Sequence, residues 1–202
     1  MQFYSDDDIE KRARGARKLL GIEDQIFPDM MTVVHKLKDH SIIDSWLIVA
    51  DIEMPNDEAH YDPYIRLLSI RQSVFEAANS GNSRARFTIA HEVGHIILGH
   101  NKIRHRRPDY DPKSTASGNV VADEKQANSF AAAFLAPFHL SNMDLETSAA
   151  DIAEYFQIGL KAAEIRLPLL RRLYRIANGI QRPLPDSVIK FLAQYNKPDG
   201  PK

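Results

Sequence analysis

Three side chains in one short stretch of this chain have the types and the spacing for hydrolytic chemistry. In "RFTIAHEVGHIILGH", Arg86 to His100, the histidines His91 and His95 stand four positions apart, and Glu92 directly follows the first. On an α-helix, positions four apart lie nearly above one another, so two imidazoles can be presented to one point. Neutral imidazole suits zinc, and the carboxylate of Glu92 projects beside the metal, where it can hold and deprotonate an attacking water. H-E-x-x-H spacing thus points to two metal ligands and a general base from a single turn. An amphipathic helix could carry the same residues idly, but the context argues otherwise. The motif interrupts a mostly apolar helix, where ionisable side chains are uncommon without a partner. Gly94 costs about 1 kcal/mol of helix propensity relative to alanine, a penalty that makes sense if another backbone or the metal site approaches closely.

Catalytic zinc takes three protein ligands and keeps one open position. The candidates for the third are His100, His105, Asp123 and Glu124. His100 follows Gly99 and so leaves the helix. The long metzincin motif would need a histidine six residues after His95, where Asn101 stands. Glu124 lies 124 − 95 = 29 positions after His95 on a second expected helix. A carboxylate on a neighbouring helix is the arrangement of the glutamate-type zincins, so Glu124 is preferred, then Asp123, then His100. The oxyanion donor stays open among His100, His105 and Tyr110.

Composition narrows the alternatives. The 202 residues suffice for one domain with a sizeable core and a small appended unit. A net charge of −1 gives no global pull toward nucleic acid or acidic membranes. Cysteine is absent, which excludes disulfides, thiolate ligands and cysteine nucleophiles; a bound metal must rest on His, Asp and Glu. No apolar run is long enough for a signal peptide or a membrane span, so a soluble cytoplasmic protein with no membrane partner is expected.

The elements that position the motif can be read in order. "SDDDIEKRARGARKLLGI" predicts a helix with an acidic first turn. Ile9, Ala13, Ala16, Leu19 and Leu20 form its apolar stripe, and Arg12, Arg14, Arg17 and Lys18 are read as a solvated face. Pro28 opens a second helix through "KDH". "SWLIVADIE" is read as a buried strand, and "AHYDPYIRLLSIRQ" as one or two more, with Pro63 at an edge or bend. "QSVFEAANS" predicts a short helix, broken by "SGNS" before the motif helix. Residues 101–121 read as a long polar loop that could cover the cleft. "ADEKQANSFAAAFLAP" predicts a helix closing near Pro137, and "SAADIAEYFQIGLKAAEIRLPLLRRLYRIA" two helices across "QIG". The expected class is α+β: a small, mostly antiparallel sheet packed on helices, one of them the H-E-x-x-H helix. The expected divisions are a metallopeptidase core over residues 1–140, a helical segment over 141–195 and a disordered tail over 196–202.

Two blocks, "RFTIAHEVGHIILGH" and "EKQANSFAAAFLAP", together resemble the ImmA/IrrE-type metallopeptidases of bacteria, phages and mobile elements. The likeness runs through Arg86, Phe87, Thr88, His91, Glu92, Gly94, His95, Glu124, Ala127, Asn128, Phe130, Ala131, Leu135 and Pro137. It extends from about Ile9 to Leu173. The resemblance implies a minimal zincin-like fold, a bound Zn2+ held by His91, His95 and Glu124, and Glu92 as the base. Gln126 stands where family members often carry a second glutamate. The substrate class it implies is a specific protein partner, a transcriptional repressor or antitoxin-like regulator encoded nearby.

A different class of reading is a DNA- or protein-binding regulatory module, or a toxin component, with a structural or vestigial zinc. "DIAEYFQIGLKAAEIRL" is similar to a helix-turn-helix, and Arg166, Arg171, Arg172 and Arg175 could meet phosphates. The same residues also suit helices packed on the core with a basic solvent edge, and Pro168 would bend a recognition helix. The protease reading is preferred.

Overall fold

The computed structural model describes residues 3–100, 118–181 and 184–195. Among them lie eight α-helices, one 3-10 turn and three strands, giving a mixed α+β, minimal zincin-like architecture. Helix α1 (Asp6–Leu19) starts in a capping box: Ser5 accepts from the N–H of Asp8, whose carboxylate accepts from the N–H of Ser5. Its buried face is Ile9, Ala13 and Ala16, continued by Leu20, while Leu19 is exposed rather than part of the stripe. Helix α2 (Met30–Asp39) is capped by Asp29 and buries Val33, Val34 and Leu37. Strands β1 (Ser45–Val49), β2 (Ala59–Asp62) and β3 (Leu67–Arg71) follow, with Pro63 in the β2–β3 turn.

The sheet has the order β1-β3-β2. It is mixed, not mostly antiparallel: β2 pairs antiparallel with β3, but β1 pairs parallel to it from Ser45↔Leu67 to Val49↔Arg71. The sequentially adjacent β2–β3 hairpin takes one side of β3 and leaves the other for β1. Strand β1 is therefore an edge, and Leu47 and Ile48 are exposed at 40% and 42%, correcting the buried-strand expectation.

Helix α3 (Gln72–Asn79) leads into α4 (Ser83–Leu98), and α5 (Gly118–Leu135) packs on α4 and α1. Residues 118–121 are thus helical, so the expected loop is shorter than read; positions 101–117 lie outside the described residues. A 3-10 turn (Phe138–Leu140) precedes α6 (Ala149–Phe156) and α7 (Leu160–Ala177), which runs through Pro168, and α8 (Asp186–Tyr195) ends the description. The expected tail over 196–202 also falls outside it. The central core is built from Ile89 and Val93 of α4, Phe130 and Phe134 of α5, Leu68 and Ile70 of β3, and the apolar faces of α1 and α2. No helix among the described residues is long and apolar enough to cross a membrane.

The basic residues behave differently from a solvated fringe. Arg17 is fully buried and donates to the carbonyls of Phe134 (2.7 Å), Ile22, Glu23 and Gln25. Burial pulls its pKa down to about 10, with Asp24 and Glu23 opposing the shift. Arg166 is equally buried; it donates to the Ala136 carbonyl and forms a two-pronged pair with Glu10 at 2.7 and 2.8 Å. Arg171 donates to the Thr147 carbonyl and Arg172 pairs with Asp7. Three of the four arginines that a helix-turn-helix would aim at phosphates are held within the chain.

Candidate metal centre

Helix α4 begins under Asn82, whose side-chain oxygen accepts from the N–H groups of Arg84 and Ala85. Near its start Thr88 donates to Glu58 (3.1 Å), beside the start of β2, and Arg86 donates to the Gln157 carbonyl (3.1 Å) after α6. These bonds fix the helix from two sides.

Its middle lies against α5 at Gly94. A Cβ at Gly94 would sit 3.1 Å from the Ala127 carbonyl oxygen, 3.2 Å from the Ala127 Cα and 3.2 Å from the Phe130 ring. Another backbone does approach closely, as the glycine suggested. Gly94 lies between the two histidines, and Ala127 is one helical turn beyond Glu124, so this contact carries the Glu124 carboxylate over both imidazoles. His91 Nε2 is 3.2 Å from Glu124 Oε2, His95 Nε2 is 3.3 Å from Glu124 Oε1, and the two Nε2 atoms are 2.9 Å apart. His91, Glu92 and His95 are 1%, 2% and 4% exposed, and one ligand atom of each falls within a 4.8 Å group.

The residues fit a metal. His91 Nδ1 lies 3.1 Å from Asn128 Oδ1; an amide oxygen accepts, so the proton belongs on Nδ1 and the Nε2 lone pair faces the cluster. Two imidazole nitrogens and a carboxylate converging in a buried place repel one another unless protons or a cation stand between them. Zinc ligands at about 2.0–2.1 Å in tetrahedral array are about 3.3 Å apart, close to the two His–Glu distances. The donor set, two imidazoles and a carboxylate without thiolate, is one that can hold zinc and leave a fourth position open. Without a metal, burial by itself would raise the Glu124 carboxyl, but His91 and His95 in their protonated form, through hydrogen bonds and charge, outweigh it and hold the group well below the usual carboxylate range.

The other candidates fall elsewhere. His100 is buried behind His95, its Nδ1 2.8 Å from His95 Nδ1, and Asp123 Oδ1 is 3.8 Å from His100 Nε2. Both sit on the far side of the His95 ring from Glu124. His105 and Tyr110 lie outside the described residues. Gln126 is 4% exposed, and its side-chain amide has no hydrogen-bond partner among the described residues. Asn128 was visible only as a motif position. Its signal was its offset of four from Glu124, which puts both on one face of α5.

A family model described as an IrrE N-terminal-like domain, Peptidase_M78, matches residues 48–168, which contain the whole cluster. The chain belongs to the M78 peptidase family. A solved structure described as a Mycobacterium tuberculosis transcriptional regulator superposes with a TM-score of 0.53 over 80% of this chain at 18% identity. The chain spans 46% of that protein's length. At such identity the likeness concerns the fold alone. Comparison with curated proteins gives no match.

Proposed function

We propose that the chain is a zinc-dependent endopeptidase acting in the cytoplasm on one protein partner, a transcriptional repressor or antitoxin-like regulator encoded nearby. The observation that carries the reading is the Glu124 carboxylate 3.2 and 3.3 Å from the Nε2 atoms of His91 and His95, with Glu92 buried beside them. In this reading His91, His95 and Glu124 hold Zn2+. Bound zinc supplies Lewis acidity to the reacting water and to the scissile carbonyl. Glu92 acts as the base: its carboxylate accepts the proton of the attacking water and passes it to the leaving nitrogen. Asn128 keeps the His91 ring oriented through Nδ1. The description of the structural neighbour as a transcriptional regulator supports a regulatory setting. Engagement of Arg166, Arg171 and Arg172 within the chain weighs against DNA binding by α7.

Glu92→Gln tests the reading. The amide fits the same space but cannot accept the proton, and loss of general-base catalysis costs about 10²–10⁴-fold, or roughly 3–5 kcal/mol of barrier. The variant is expected to fold, bind zinc and capture the adjacently encoded repressor, yet not cleave it. Equal cleavage by wild type and variant at matched zinc content, or a full biological effect with no cleavage, would replace the enzyme with a binding module.

A further inference from the structure

We propose that His100, backed by Asp123, is a positioning residue that decides which nitrogen of His95 is bare toward the metal; this rests on His95 being a metal ligand, as proposed above. The turn that places His100 follows from the helix end. Gly99 adopts φ 71°, and the N–H of His100 returns to the carbonyl of His95 at 3.0 Å, so the chain doubles back along its own helix. The imidazole of His100 thereby meets the ring of His95, with 2.8 Å between the two Nδ1 atoms.

One proton occupies that short contact, and its owner matters. If it belongs to His95, Nδ1 donates to His100 and His95 Nε2 is left as a lone pair facing His91 and Glu124. If it belongs to His100, neutral His95 must carry its own proton on Nε2, pointing into the cluster where a metal would bind. Asp123 favours the first arrangement. Its Oδ1 lies 3.8 Å from His100 Nε2, too far for a hydrogen bond but near enough for a carboxylate, in a place where both side chains are at most 10% exposed, to favour a proton on that nitrogen. With its proton on Nε2, neutral His100 presents a bare Nδ1 as acceptor. Asp123 and Glu124 are neighbours on α5, so their side chains leave the helix about 100° apart, one toward His100 and the other toward the metal ligands. A single step along α5 thus serves both faces of His95.

The test uses the full chain and measures zinc affinity against a chromophoric chelator, together with the visible spectrum of the Co2+-loaded protein. His100→Phe keeps a ring but offers no acceptor; its zinc affinity is expected to fall about 10–100-fold, with a shifted cobalt spectrum. His100→Gln, whose amide oxygen can accept from His95 Nδ1, is expected to recover most of that affinity. Asp123→Asn keeps the shape without the charge and is expected to weaken zinc about threefold or more; it carries the test if His100→Phe does not fold. Wild-type affinity in His100→Phe, or in Asp123→Asn, overturns the respective role. An equal loss in His100→Phe and His100→Gln overturns the acceptor argument and leaves a packing role. Absence of zinc binding by wild type, or unchanged binding in His95→Ala, would instead overturn the ligand assignment beneath it.

Discussion

Replacing Gly94 by alanine sets two effects of known sign against each other. In an unhindered helix the change stabilises by about 1 kcal/mol, because glycine has more backbone freedom to lose. Here the new methyl would lie 3.2 Å from the Ala127 Cα and 3.1 Å from its carbonyl oxygen. Carbon atoms prefer about 3.5–4.0 Å, so the shortfall is about 0.3 Å or more, and backbone cannot rotate aside as a side-chain tip can. Helices α4 and α5 must separate by a similar amount, at an overpacking cost of about 1–3 kcal/mol. The sum is a net loss of about 1 kcal/mol in the metal-free protein, lowering its Tm by about 2–4 °C. A larger effect is expected at the metal. Ala127 is one turn from Glu124, so the separation draws the carboxylate away from His91 and His95, and zinc affinity should fall about tenfold, as when a ligand's support is disturbed. Melting of the metal-free variant and chelator competition measure the two parts. A Tm a few degrees higher with unchanged zinc affinity would refute the idea that this contact sets the ligand spacing.

The ligand set predicts that His91→Ala, His95→Ala and Glu124→Ala each lose most bound metal, read by elemental analysis of the purified proteins; full zinc in Glu124→Ala would remove it from the set. Zinc should leave as pH falls through the imidazole range near about 6.5, because its ligands must be deprotonated, and zinc content against pH checks this. In the metal-free protein Glu124, with its pKa held low, contributes stability above the ordinary carboxylate value of about 4.3 and loses it as pH falls further, a step that Glu124→Gln should lack in acid titrations. Glu10→Ala leaves the buried guanidinium of Arg166 without its carboxylate and should lower stability by about 3 kcal/mol in denaturant titration.

What could be read from sequence was whatever acts locally. Helix starts were read from the strings "SDDD", "SAAD" and the "SGNS" break, and there Ser5 with Asp8, Ser148 with Asp151, and Asn82 form the caps. Pro63 marks the bend between β2 and β3, and Gly94 signalled a close neighbour from its poor helix propensity alone. The spacing of His91, Glu92 and His95 suggested a cluster, and the structure brings them together with Glu124. Long-range partners were not legible. Arg17 sits in "RARGARK", a string that reads as solvated, but the Phe134 carbonyl 117 positions away takes it inside. Strand β1 is apolar enough for an interior, yet its place at the edge follows from the β2–β3 hairpin reaching β3 first. His100 was weighed as a ligand because its type allows it; only the turn at Gly99 puts it behind the ring it touches.

The pairing of α1 with the later helices bears on what counts as a self-sufficient piece of this protein. The segment matched by the family model begins at residue 48, inside β1, and leaves out α1 and α2. A chain cut to residues 48–168 would keep Arg166 but lose Glu10, keep the Phe134 carbonyl but lose Arg17, and strip Val33, Val34 and Leu37 from the core. It would hold every residue assigned to the metal and still lack the surfaces that bury α5. The segment that the family model matches is therefore smaller than the part of this chain that packs around one core. For this chain, truncation at the edges of the matched segment would keep the candidate ligands without the support that holds them in place.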